Sequence, residues 1–179
     1  MSYDTNAIVK AVQDSMNNLL ELIEQATRGR STEEIAGLKE EARKTVFMMI
    51  AAIVLADEKY ADGERAFLNL LVDWNRQPGG EMRYLNDYAG AWKMACIHVP
   101  RFFRAGVDHD RRVHTDLARG MIREMELIGN NTCVSDGKFE ATEHEVVQKY
   151  MVLLEEFLAA SSAQQGALRR NEADGWTSV

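Results

Sequence analysis

Two short acidic loops carry the most specific chemical signal in the sequence. The stretches from Ile53 to Glu64 and from Thr132 to Glu143 align without gaps. Each reads Asp-x-Lys-aromatic-x-x-x-Glu behind an apolar helix end, with Asp57, Lys59, Tyr60 and Glu64 in one and Asp136, Lys138, Phe139 and Glu143 in the other. An Asp closing one helix and a Glu in the first turn of the next direct oxygens into one loop. Hard cations such as Ca²⁺ or Mg²⁺ take several oxygens from loops of this kind. The candidate ligands are Asp136, Glu143 and Glu140 in the second loop and Asp57, Glu64 and Asp62 in the first. The second loop is the richer one. It sets Asp136, Glu140, Glu143 and Glu145 against Lys138 alone, and Gly137 permits a sharp turn. The first sets Asp57, Glu58, Asp62 and Glu64 against Lys59 and Arg65, and its glycine, Gly63, stands elsewhere in the pattern. Neither loop has the twelve-residue EF-hand ligand order. A metal-free reading is equally physical: acids at a helix N-terminus complement the macrodipole, and a Gly after a helix is a routine C-cap.

Other reactive side chains point less clearly to a site. His109 and His114 are five positions apart, which separates them by about 140° on one helix, so they share no face for a hydrolytic metal. Asp108 reads as the N-cap of a helix beginning there. Cys96 and Cys133 lie among apolar neighbours and read as small buried hydrophobes, too few for a disulfide framework or a thiolate zinc site. Arg101, Arg104, Arg111 and Arg112 cluster around Phe102 and Phe103, as a charged helix connection or as a site for an anion or acidic partner. Phosphate-binding glycine loops, zinc-protease motifs and Gly-x-Ser-x-Gly elbows do not occur.

The elements that position the loops read as helices throughout. Ile8, Val12, Met16, Leu19, Leu20 and Ile23 recur at helical spacing from Thr5 to Ala26. Ser31 and Glu34 offer a capping box to a second helix, which turns apolar on every side from Val46 to Ala56 and should be buried by its neighbours. A third helix carries Phe67, Leu68, Leu70, Leu71 and Trp74, and Asn75 to Gly80 stops it. Further helices are expected over Met82 to Ile97, from Pro100 through Arg104, from Asp108 to Ile128, and from Thr142 to about Ala160. Thr142 and Glu145 form a second capping box. The expected fold is all-α, a single-domain bundle of about seven helices with two pseudo-symmetric helix-loop-helix halves. The expected divisions are an N-terminal helix over 1–30, a helical domain over 31–160 and a flexible tail over 161–179.

Composition bounds the function. The 179 residues are 46% hydrophobic and 27% charged, enough for one domain with a core. Lys and Arg number 21 against 28 Asp and Glu, a net charge of −7, which argues against general binding to nucleic acid. The longest apolar run, Val46 to Ala56, falls short of the roughly 20 residues that a membrane-spanning helix needs. The polar N-terminus lacks signal-peptide order, so a cytoplasmic location is expected, without membrane insertion.

Ser135-Asp136-Gly137-Lys138-Phe139-Glu140-Ala141-Thr142-Glu143 resembles the hallmark of the TerB-like family, named from tellurite resistance: Ala/Ser-Asp-Gly, an aliphatic or aromatic residue, then Glu opening a helix. Leu55 to Glu64 follows it with Glu58 in place of the glycine, and the resemblance covers about Lys39 to Leu158. It implies an all-helical, non-enzymatic adaptor or sensor in cytoplasmic responses to toxic oxyanions, phage or colicins, working with membrane-associated Ter-type protein partners. It also implies divalent-cation sites at Asp57 and Glu64 and at Asp136 and Glu143. The alternative is a metal-free scaffold that binds partners through exposed apolar positions such as Trp74, Trp92 or the tail around Trp176. A homodimer is compatible with either reading.

Overall fold

The computed structural model describes residues 4–56, 60–71, 81–138 and 140–175, with the backbone alone for 81–82 and 164–175. Among these residues the chain is all-α: α1 (Thr5–Ala26), α2 (Thr32–Val54), α3 (Asp62–Leu71), α4 (Glu81–Ala95), α5 (Arg101–Val113), α6 (Leu117–Cys133) and α7 (Ala141–Gly175). No helix among them is long and apolar enough to cross a membrane.

Local chemistry starts and stops the first two helices. The Asp4 carboxylate accepts from the Asn6 and Ala7 N–H groups and caps α1, whose stripe Ile8, Val12, Leu19, Ile23 and Ala26 is buried. Met16 and Leu20 are only half-buried at the edge of that stripe. Gly29, at φ +90°, turns the chain into α2. Ser31 Oγ accepts from the Glu34 N–H at 3.2 Å, as the capping box predicts. The Glu34 carboxylate, however, pairs with the Arg30 guanidinium instead of returning to the cap. The second half of α2 buries Val46, Met49, Ile50, Ala51, Ile53 and Val54, because α2 packs against α1, α4, α5, α6 and α7. Each large apolar side chain so buried contributes about 1.5–3 kcal/mol before entropy is counted.

The later half of the chain differs from expectation in three places. The helices expected to divide at Asp108 instead divide at His114–Asp116, so Asp108 lies inside α5 and caps nothing. His114 takes a left-handed conformation at φ 57° and ends α5. Beyond it, Asp110 reaches across the break. Its Oδ1 accepts from the Leu117 N–H at 2.9 Å and its Oδ2 from the Ala118 N–H at 2.8 Å, so a side chain of α5 caps α6. Glu41 of α2 does the same for α5, accepting from the Arg101 N–H at 2.8 Å. Second, Trp92 is not an exposed apolar position. It is 6% exposed and meets the ring of Tyr150 edge-on at 4.8 Å. Third, α7 runs past Ala160 to Gly175, and Ser161 is buried, so the helix does not end where the apolar stripe fades. Trp74, the turn at 75–80 and Trp176 lie outside the described residues.

The two helix-loop-helix units are unequal. The first consists of α2 and the short α3, which lies against α1; the second consists of α6 and the long α7, which lies against α6 and α2.

Candidate functional site

The first turn of α3 rests directly on the loop between α6 and α7. A Cβ added to Gly63 would come within 2.6 Å of the Asp136 Cα and 3.0 Å of its Cβ. Two segments far apart in sequence, the start of α3 and the second loop, therefore abut at Gly63 and Asp136. Only a residue without a side chain permits that approach. Gly63, which stands outside the glycine position of the motif, is the residue through which α3 meets the second loop.

Each acidic residue has a distinct setting. Glu64 is 4% exposed, and its Oε2 accepts from the Ala61 N–H at 2.7 Å, closing the start of α3. Glu143 occupies the matching place in the first turn of α7 and is 5% exposed. Asp136 is half-buried, and its Oδ1 accepts from the Lys138 N–H at 2.8 Å, forming an Asx turn around Gly137, whose φ is +85°. Glu140 is half-buried at the start of α7, where its carbonyl accepts from the His144 N–H. Asp62 is fully exposed and 3.9 Å from Arg65, whose guanidinium lies over the Tyr60 ring. Tyr60 packs against the core, as a plug for its loop should. Asp57 and Phe139 lie outside the described residues.

The structure thus joins the second loop to the first turn of α3, but the carboxylates diverge in depth. Glu64 and Glu143 face inward, and Asp62 faces solvent. Among the described residues, no group of three or more His, Cys, Asp or Glu side chains is gathered for one metal ion. Asp136 and Glu140 are the half-buried carboxylates of the second loop, and a site with so few protein oxygens would leave several waters on an ion, as Mg²⁺ tolerates better than Ca²⁺.

A buried polar layer lies behind the junction. Ser135 is 3% exposed, and its hydroxyl has no hydrogen-bond partner among the described residues. Cys133 is buried, and its thiol is pushed up to about 12, first by burial and second by the charge of Glu143. A charged alkylating reagent should therefore label half-buried Cys96 quickly in the native protein and Cys133 only on unfolding; equal native rates would contradict the burial. Because the folded thiol titrates above its ordinary 9.0, the unfolded chain loses this proton first. Its contribution to stability is complete below pH 9 and is lost as the pH rises toward about 12, and Cys133→Ala should flatten that alkaline slope.

The remaining expected constellations separate in space. His109 Nδ1 contacts Thr115 Oγ1 at 3.0 Å, while His114 is exposed at the end of α5. The arginine cluster also divides. Arg104 donates to the Val99 carbonyl and lies over Phe157, whereas Arg111 and Arg112 border an open cleft with Arg30 and Asp108. The capping residues Glu41 and Asp110 could not be found by spacing rules, because their partners lie on other helices. Compared with known protein families, with curated proteins and with solved structures, the chain has no match.

Proposed function

We propose that this chain is a non-enzymatic adaptor or sensor of the TerB-like kind, acting in a cytoplasmic stress response of the tellurite or toxic-oxyanion type. Its paired acidic loops form a divalent-cation junction that sets how a protein partner is presented. The observation that carries this reading is the seat of Gly63 on Asp136, which brings the two loops of the resemblance into one place. Asp136 and Glu140 hold the ion, with Asp62 on the side of the first loop. Glu64 and Glu143 frame the site from within.

A second reading, a metal-free interaction scaffold, is favoured by one specific observation. The Glu64 carboxylate already caps α3, and the Asp136 carboxylate already closes its own turn. A thermal-shift series with Mg²⁺, Ca²⁺, Mn²⁺ and Zn²⁺ separates the two. An ion at a hundredfold excess over its dissociation constant stabilises by about 2.7 kcal/mol, or about 5–10 °C in Tm for a chain of this size. The expected result is a saturable rise of that order, with Asp136→Asn combined with Glu140→Gln losing most of it. No shift with any of the four ions, together with no heat on titration, would leave the scaffold.

A further inference from the structure

The outer face of α7 is built differently from an ordinary solvated helix face. Glu145, Lys149, Val152, Glu156, Ala159 and Ala163 recur at alternating spacings of four and three, and all six are exposed. Val152, the large apolar member of this stripe, is 51% exposed. Across from it, Ile97 projects from the turn after α4 and is 60% exposed. Between the two runs a groove of about 460 Å³, floored by Trp92, Cys96, Val146 and Leu153. Single exposed apolar residues are ordinary, and these two differ in facing each other across one groove whose floor is also apolar.

We propose that a second copy of this chain covers the groove, with the two α7 helices crossing antiparallel about a two-fold axis at Val152. The charges select this occupant. Lys149 lies three positions before Val152 and Glu156 four after it, one turn to either side. An antiparallel crossing at Val152 sets Lys149 of each copy opposite Glu156 of the other, twice by symmetry. A parallel crossing would set lysine on lysine and glutamate on glutamate. The face is therefore complementary to itself in one orientation, as a two-fold interface requires. Beyond Glu156 the stripe continues as Ala159 and Ala163, small enough for the backbones to stay close. Ile97 of each copy covers the α7 of the other and closes the groove. The Glu145–Lys149 pair within one chain, 3.5 Å apart and exposed on both sides, is weak enough for Lys149 to exchange partners.

The test is the oligomeric state of the full chain, measured by sedimentation equilibrium over a wide concentration range with a metal chelator present. The chelator keeps the result independent of the cation reading. The expected result is a reversible dimer. Val152→Glu should make it monomeric, with helical circular dichroism unchanged because the residue touches solvent in the monomer. Lys149→Glu should raise the dissociation constant about tenfold or more by placing like charges across the axis. Lys149→Glu combined with Glu156→Lys should restore it. A monomer at every concentration would overturn the proposal. So would a dimer indifferent to Val152→Glu or to Lys149→Glu, or a double reversal no tighter than the single one.

Discussion

Gly63→Ala is expected to lower the unfolding free energy by about 3 kcal/mol, at the upper end of what inserting one methyl into packed structure costs. The reason is the identity of the neighbour. The added Cβ would stand 2.6 Å from the Asp136 Cα, and a backbone atom cannot turn aside as a side-chain end can. Relief requires α3 to lift off the second loop. That movement withdraws Phe67 and Leu68, both fully buried, from the core. The gain from replacing a helical glycine by alanine is at most about 1 kcal/mol and smaller in a first turn, so the clash decides the sign. Gly37→Ala and Gly90→Ala provide the contrast. Both lie inside helices with no atom within 4 Å of the new Cβ, so each should stabilise by about 0.5–1 kcal/mol. Urea denaturation of the three variants measures the difference. A Gly63→Ala protein as stable as the parent would mean that α3 does not rest on the second loop.

The second large effect is expected at Asp110. Asp110→Ala removes the acceptor for the Leu117 and Ala118 N–H groups and for the Thr115 hydroxyl, which donates to Oδ1 at 2.6 Å. The carboxylate is 12% exposed, so water replaces these bonds poorly. Charge-assisted bonds of this kind contribute about 1.5–3 kcal/mol, and the loss should lie near the upper figure. Asp110→Asn should recover little. The two backbone donors go to different carboxylate oxygens, and an amide would set an NH₂ group against one of them. Asp116, the residue in the N-cap position of α6, makes no capping bond with its side chain, so Asp116→Ala should change stability by less than about 0.5 kcal/mol. If denaturation ranks Asp116→Ala as the costlier change, α6 is capped locally and not from α5.

These two sites show what could be read from the sequence. The all-α class was legible because α1, α2 and α6 repeat apolar residues at helical spacing, and because Ser31 caps the helix that begins beside it. Local rules see local partners. The break at His114 carries neither Gly nor Pro, and its cap comes from seven and eight residues upstream, so the spacing runs a helix from Asp108 straight through it and puts the division too early. Likewise, the first-turn positions of Glu64 and Glu143 follow from the motif, but their inward burial depends on what packs over them. That Gly63 touches Asp136 is a fact of tertiary packing, and no spacing rule contains it. The burial of Trp92 is of the same kind, since it depends on the ring of Tyr150 from a distant helix.

The cross-helix caps tie together parts of the chain that would otherwise open separately. Glu41 of α2 holds the first amide of α5, and Asp110 of α5 holds two of the first amides of α6. If α5 swings away, it strands its own leading donor and, at the same moment, those of the helix behind it. The free energy for local opening of α5 and of the first turn of α6 is therefore shared, and the pair belongs to one cooperative unit anchored on α2. Hydrogen exchange at Leu117 and Ala118 becomes a remote gauge of whether Glu41 is still docked on α5, although those amides donate to Asp110 and not to Glu41.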